Sequence, residues 1–376
     1  MREVVITGIG IVSCAGEGVE AHLAAMKSGA EPRLDITTFA PYPVHPARPL
    51  DYDKQIPKKS DQRQMEPWQR LGCYAAGLAL DAASAKQDAA LKARMHLIVA
   101  AGGGERDYGV DGQILTNIRQ APNPGVFLNE RLMGDLRPTL FLAQLSNLLA
   151  GNISIVHGVA GASRTFMGEE ASGVDAIRIA HARIASGQND IFLVGGSYNA
   201  ERADVLLIYE MGGFLWKQPF APVWDRPAQG GGFILGSGAA FLVMEAREHA
   251  ESRGVQAIAT IAGVASRRTR RAPGDVTASL KHLWAEVGTG PNPLVVSGAT
   301  GVKGITEEEQ AALRALAPGQ QPYATGDVIG HAMEAQAPAG VALAAGLIGA
   351  GETGEAVVTS IGHQRGEGIV RLVAAR

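Results

Sequence analysis

Short apolar runs separated by longer amphipathic stretches set the rhythm of this chain. Residues 4–6, 96–101, 191–194, 239–243 and 294–296 are dominated by Val, Ile, Leu and Ala, and two further runs, 357–361 and 369–373, lie close together. Runs that are apolar at nearly every position suit strands covered on both faces. Between them the spacing changes to a helical one. Val174, Ile177, Ile179, Ala180 and Ile184 set a helical pattern in a stretch that ends at Gly187, which predicts an amphipathic helix there. Residues 335–350 are apolar almost throughout but contain Gln336 and Pro338, and fall short of the about 18 clean apolar residues of a membrane span. They read as a buried helix. Residues 58–72 read as a helix with a polar start, and residues 39–59, with five prolines, as an irregular excursion. Strands alternating with helices argue for a layered α/β fold. A charged stretch at 245–254 follows a glycine-rich strand and is expected to divide the chain into halves 1–245 and 246–376, although no period is strict enough to be a sequence repeat.

Composition narrows this picture. The 376 residues leave room for one large domain or two fused halves. Glycine supplies 48 of them, nearly twice the ~7% usual share. Aromatics are 5%, so the core must be packed from Ala, Val, Ile and Leu. With 34 basic and 37 acidic side chains the net charge is −3, which gives no electrostatic reason for a nucleic-acid partner. The cluster Arg267, Arg268, Arg270 and Arg271 reads as a solvated loop in preference to a phosphate-binding patch. The first residues enter a strand without a charged-then-apolar leader. The two cysteines, Cys14 and Cys73, exclude a disulfide framework and a cysteine zinc site. A cytoplasmic protein without a membrane span is expected.

Several familiar motifs fail. Gly8-Ile9-Gly10 begins like a dinucleotide fingerprint, but Ser13 stands where the third glycine is needed. Gly102-Gly103-Gly104 lacks the Gly-Lys-Ser/Thr ending of a phosphate loop, and the nine histidines include no His-Glu-x-x-His pattern. Neither cofactor nor metal is expected. More informative is a short strand at 163–167 that runs through Gly168-Glu169-Glu170-Ala171-Ser172-Gly173 directly into a helix. Such strand-to-helix turns mount nucleophiles in α/β enzymes, because the helix N-terminal amides stabilise an anion. Here the turn carries two carboxylates. Their plainer use is to complement the positive helix end, worth about 0.3–1 kcal/mol each.

Four segments together carry a resemblance. They are REVVITGIGIVSCAGEGVE (2–20), LLAGNISIVHGVAGASRTFMGEEASGVDAI (148–177), APVWDRPAQGGGFILGSGAAFLVMEAREHAESRG (221–254) and IGH (329–331). They are similar to segments of the β-ketoacyl-acyl-carrier-protein synthases of the thiolase superfamily, and the resemblance covers nearly the whole chain. It implies a five-layered α-β-α-β-α sandwich built from two similar halves, normally dimeric.

The departures from that family are concentrated at its chemistry. In register, the acyl-accepting cysteine is replaced by Glu170, a far poorer acyl acceptor than a thiolate. The first catalytic histidine of the family falls on Ala299, in Val296-Ser297-Gly298-Ala299-Thr300-Gly301, and no neighbouring register supplies a histidine. The lysine five residues before the second histidine falls on Gly326. The second histidine is retained as His331, which suits a structural role as well as a catalytic one. In the C-terminal loop, Gly362 and His363 stand where members place a gating phenylalanine between glycines. His363 fits a polar plug, a partner for Glu170, or a satisfied loop histidine. Arg63 matches a residue that docks the carrier protein, while Gln64 replaces a second cation. Decarboxylation of a malonyl thioester needs donors for the enolate oxygen, and an anionic Glu170 works against them. These losses resemble the non-condensing, chain-length-factor type. The resemblance then implies a heterodimer with a cysteine-bearing synthase paralogue, acyl carrier protein as a partner, and a place in fatty-acid or polyketide/polyene elongation. Two other readings stay open. One is an enzyme using Glu170 and His331 as acid and base in thioester decarboxylation or hydrolysis. The other is a homodimeric acyl-binding protein without chemistry.

Overall fold

The computed structural model describes residues 1–138, 140 and 144–375. Its strands are β1 (Val4–Ser13), β2 (Gly16–Glu17), β3 (Val44–His45), β4 (His96–Ala100), β5 (Ser163–Phe166), β6 (Ile191–Tyr198), β7 (Leu235–Gly236) and β8 (Gly238–Ala246). They continue with β9 (Ala259–Arg267), β10 (Leu294–Ser297), β11 (Tyr323–Ala324), β12 (Glu355–Ile361) and β13 (Glu367–Ala374). One mixed sheet runs β5-β4-β6-β8-β1-β9-β13-β12-β10-β11. From β1 outward, the pairings with β8 and then β6 are antiparallel, and those with β4 and β5 are parallel. From β9 outward, β13, β12, β10 and β11 repeat the same succession. The two rounds join where Val5 and Ile6 meet Thr260 and Ala259. β3 and β7 form a small separate parallel pair that pins the proline-rich stretch.

Alternate residues of these strands enter different cores, which is why their sequences are apolar at almost every position. Ile98 and Ala100 of β4, with Val296 and Val358, face a central core shared with Ile177, Ile184, Val341 and Ala345. Leu97 and Val99 face outward onto Leu71, Ala75 and Leu80 of the helix Pro67–Ala82. Val295 and Val357 do the same against Leu280, Leu283 and Leu313 of the helices Asp275–Glu286 and Ile305–Leu316. Outer helices, the first round of the sheet, central helices, the second round and outer helices follow one another, a thiolase-like five-layered α/β sandwich. The middle layer holds the helices Glu170–Ala185 and Gln336–Gly349. They cross tightly: a Cβ on Gly173 would lie 2.8 Å from both the Glu334 carbonyl oxygen and Pro338 Cδ. Pro338 is tolerated in the first turn, where backbone N–H groups have no partner inside the helix.

Two expectations about local structure are corrected. The first strand is not confined to residues 4–6 but continues to Ser13, so Gly8 and Gly10 lie within it. A Cβ on Gly8 would collide with the Ala79 carbonyl oxygen, and one on Gly10 with that of Ala75. These glycines let the helix Pro67–Ala82 approach the sheet. The helix expected over 58–72 is two, Lys59–Gln64 and Pro67–Ala82. Pro67 has no N–H to continue a helix and keeps Glu66 extended at φ −75°, ψ 163°, where Glu66 and Gln69 form a capping box. Among the described residues no helix is long and apolar enough to cross a membrane.

Candidate functional site

The turn between β5 and the central helix Glu170–Ala185 is strained in the way a side-chain mount requires. Gly168 has φ 133°, and Glu169, a non-glycine residue, has φ 57° and ψ −137°. This geometry swings Glu170 inward as the first helical residue, only 1% exposed. Its Oε1 accepts hydrogen bonds from His331 Nε2 at 2.8 Å, His363 Nδ1 at 2.9 Å and the His363 backbone N–H at 3.2 Å.

Both histidines are fixed through their own backbones. The His331 N–H donates to the Ile234 carbonyl at 2.8 Å, and its carbonyl accepts from the Gly236 N–H at 3.0 Å. His363 lies in the loop joining β12 to β13, closed by Gly362 N–H donating to the Gly366 carbonyl at 2.8 Å. Arg271 clamps this loop, donating to the Gly362 carbonyl at 2.6 Å and to the Glu367 carboxylate. The arginine cluster is therefore not a solvated loop throughout. Arg267, Arg268 and Arg270 are exposed, but Arg271 is half-buried because the loop's carbonyls and Glu367 need its guanidinium.

Burial opposes ionisation of Glu170, yet the hydrogen bonds from His331 and His363 outweigh it and hold the carboxyl well below the usual carboxylate range. Burial pulls His363 the other way, and its bond to Glu170, with the charges of Glu170 and Glu169, overrides burial and raises its pKa. The site is a buried carboxylate hydrogen-bonded to two imidazoles and set among aromatic rings. Phe233 stacks on His331 at 5.0 Å, and the rings of Phe214, Tyr209 and Phe233 meet His363 edge-on at 4.7, 5.5 and 5.5 Å. Glu169, Glu170 and His363 bring donor atoms within 4.8 Å of one another. The Glu170 oxygen in that group already accepts from two imidazoles, so the cluster reads as a hydrogen-bond network before it reads as a cation site.

Of the positions expected at the site, the structure brings Glu170, His331, His363 and Gly362 together; a Cβ on Gly362 would lie 3.2 Å from Glu170 Oε2. Ala299 and Gly326 lie beside each other: a Cβ on Gly326 would be 3.7 Å from the Ala299 carbonyl oxygen. Ala299 packs with Val223 and Ala324, and a Cβ on Gly326 would meet Val223 Cγ2 at 2.9 Å. Those two places are filled by small apolar contacts. Arg63 is exposed on the short helix Lys59–Gln64. Cys14 and Cys73 are buried away from the turn; burial pushes the Cys14 thiol up to about 11 and raises that of Cys73 too. Glu169, but not Glu170, also lines an adjoining cavity of about 610 Å³ with Trp68, Tyr198, Tyr209 and Glu334. Sequence reasoning missed Glu334, Tyr209 and Phe214. Glu334 had a visible signal, a lone charge three residues after His331 at the head of an apolar helix.

A family model described as "Beta-ketoacyl synthase, N-terminal domain" matches residues 1–250. The 3-oxoacyl-[acyl-carrier-protein] synthase 2 of Vibrio cholerae is 27% identical over 275 residues, covering 70% of this chain and 62% of that synthase. The chain thus spans under two thirds of that relative's length. The actinorhodin polyketide putative beta-ketoacyl synthase 2 of Streptomyces coelicolor is 27% identical over 330 residues, covering 83% of this chain and 76% of that one. Among solved structures, the ishigamide ketosynthase/chain length factor superposes with a TM-score of 0.83 at 19% identity, covering 100% of both chains. A beta-ketoacyl synthase from Burkholderia phymatum superposes with a TM-score of 0.82 at 18% identity, again over 100% of both.

Proposed function

We propose that this chain, which belongs to the β-ketoacyl synthase family, is a non-condensing, chain-length-factor-like subunit that works beside a cysteine-bearing synthase in fatty-acid or polyketide elongation. The observation that carries the proposal is the Glu170 carboxylate, buried at the nucleophile turn and held by two imidazoles. A carboxylate so bonded offers no thiolate to accept an acyl group. The His331 Nε2 and His363 Nδ1 groups are committed to that anion, whose charge beside them works against a second anion such as an enolate. The places matching the first histidine and the lysine, Ala299 and Gly326, hold no ionisable group. The partners that follow are the synthase paralogue and acyl carrier protein, with the assembly in the cytoplasm. The ishigamide structure among its fold neighbours carries ketosynthase and chain length factor in one description.

The acid/base alternative fits the site less well. A general base works when its pKa lies near the operating pH, and Glu170 is held far below it. The test uses the chain alone and then with its partner. Alone, it is expected to take up no acyl group and to release no carbon dioxide from malonyl-acyl carrier protein. Glu170→Cys is expected to leave decarboxylation at background, since each missing oxyanion donor costs about 10²–10³ in rate. Co-expressed with a cysteine-bearing synthase from the same genome, the two should elute as a heterodimer. Turnover by the wild-type chain that vanishes in Glu170→Gln would overturn the proposal in favour of an acid/base enzyme. A stable homodimer that ignores the synthase would overturn it in favour of acyl binding alone.

A further inference from the structure

The cavity beside Glu169 has a lining that an acyl chain does not explain. Among the described residues, four polar atoms of its wall are buried and have no hydrogen-bond partner: Trp68 Nε1, Ser197 Oγ, Tyr198 OH and Glu334 Oε2. Their residues are 3%, 1%, 8% and 4% exposed. An unsatisfied buried polar atom costs about 1–3 kcal/mol, so the three of these that can accept a hydrogen bond, Ser197 Oγ, Tyr198 OH and Glu334 Oε2, point to a ligand that brings donors, whereas Trp68 Nε1–H, a donor itself, does not. Lining it with methylenes would leave every one of them unpaired.

The charge on the walls selects the ligand. The two arginines that reach the cavity are already engaged. Arg202 donates to Asp204 and to the carbonyls of Gly103 and Gly104, and Arg106 to Asp111. The groups facing Glu334 are the carboxylates of Glu169 and Glu170, and the phenols Tyr198 and Tyr209 also feel its field. The largest charge influences on Glu334 are those two carboxylates. Burial, then the charges of Glu169 and Glu170, push its carboxyl up to about 7. The aromatic side chains of Trp68, Tyr198 and Tyr209 also line the cavity, and aromatic rings attract a cation placed over their faces.

We propose that this cavity binds a small primary amine in its ammonium form, with Glu334 and Glu169 as counter-charges and Tyr198 as a further polar contact. An ammonium has three donors and no acceptor, which matches two carboxylates and a phenolic oxygen. The proposal rests on the cavity lining and not on the reading of Glu170, and its assay reads binding, so it fails or stands independently of condensation chemistry. Cation binding favours ionised Glu334 and therefore releases its proton. Affinity should rise up to about tenfold from pH 6 to pH 8, as a group titrating near 7 passes from about one tenth to about nine tenths ionised. An aliphatic amine, titrating near ~10.4, stays cationic throughout.

The experiment is isothermal titration calorimetry of the full chain with n-hexylamine and with hexanoate at pH 6 and pH 8. Hexylamine should bind at least tenfold more tightly than hexanoate and tighten with pH. Glu334→Gln should weaken it at least fivefold and abolish the pH dependence, and Tyr198→Phe should weaken it severalfold, with thermal melts confirming that both variants are folded. Equal binding of hexylamine and hexanoate would show a merely apolar cavity and overturn the proposal. So would no binding of hexylamine, or an affinity unchanged in Glu334→Gln.

Discussion

Removing the Glu170 acceptor tests whether the turn is held together as an ion pair. Glu170→Ala deletes an oxygen that two imidazoles and one backbone N–H share at 2.8, 2.9 and 3.2 Å. Breaking a buried charged pair by taking one partner costs about 3–5 kcal/mol. Glu170→Gln keeps an acceptor oxygen and loses the charge, so about half of that is expected. An unfolding entropy of ~2.1 cal/mol/K per residue gives about 0.8 kcal/mol/K for a chain of this length. The alanine variant should then melt about 5 °C below wild type at pH 5.5, and the glutamine variant about 2–3 °C below. The pH dependence follows from the two shifts. Glu170 is depressed in the folded state, so its contribution is present above the ordinary glutamate value and is lost as pH falls through the folded one. His363 is raised, so its contribution is full below the ordinary histidine value and is lost as pH rises through the folded one. Both are whole between about pH 4.3 and 6.5, and the glutamine deficit should be largest there and shrink on either side. Melts monitored by circular dichroism from pH 4 to pH 9 read this directly. An alanine variant within about 1 °C of wild type at pH 5.5, or a glutamine deficit that ignores pH, would refute the ion-pair account.

Glu334 has the opposite sign, since its raised folded value makes it increasingly costly as pH climbs from about 4.5 to about 7. Glu334→Gln should therefore stabilise the protein above pH 7, by up to about 3 kcal/mol at ~1.4 kcal/mol per pH unit, with the gain gone at pH 4.5; an equal gain at both pH values would disprove it. Gly10→Ala drives a Cβ into the Ala75 carbonyl oxygen and should cost about 3 kcal/mol or more, because a helix backbone has to move; a melting temperature like that of wild type would contradict the close approach. Cys14 and Cys73, both buried with raised pKa values, should resist a thiol-reactive dye at pH 8 in the native protein. Both should react once the chain is unfolded in guanidinium, and rapid native labelling of either would show an opening the fold does not display.

Burial on both faces made the strands legible, because it removes the polar partner from the alternating pattern. It also hid the repeat. β4 (HLIVA) and β10 (LVVS) occupy equivalent places in the two rounds of the sheet, yet share little beyond being apolar. A topology specified by hydrophobic periodicity leaves no residue-by-residue echo to find. The break before Pro67 was written in the sequence and misread, since a proline preceded by a capping glutamate starts a helix as readily as it sits in one. The partner of Glu170 was a different case. His363 is 193 positions away, and nothing local to its loop distinguishes a satisfied imidazole from one that reaches a carboxylate. Arg271 posed the same problem, its role being set by the carbonyls of Gly362 and Gly366.

On the proposed reading, in which Glu170 stands where the family mounts a nucleophile, the site supplies a physical reason for a carboxylate there. A turn that stabilises a thiolate must be electropositive, and this one combines helix N-terminal amides with two imidazoles. Those features stabilise any anion of suitable reach. A glutamate side chain is longer than a cysteine's, and from the same backbone position it reaches His331 and His363 at once. A phenylalanine in the gating loop would offer it no such bond. Glu170 and His363 therefore act as one unit in physical terms. The second imidazole lifts its own pKa by pairing and lowers that of the carboxylate, so each residue supplies the reason for burying the other. On this account Glu170→Cys would leave His363 buried among Tyr209, Phe214 and Phe233 without its counter-charge. Placing a thiol there alone should lower stability as well as fail to give condensation.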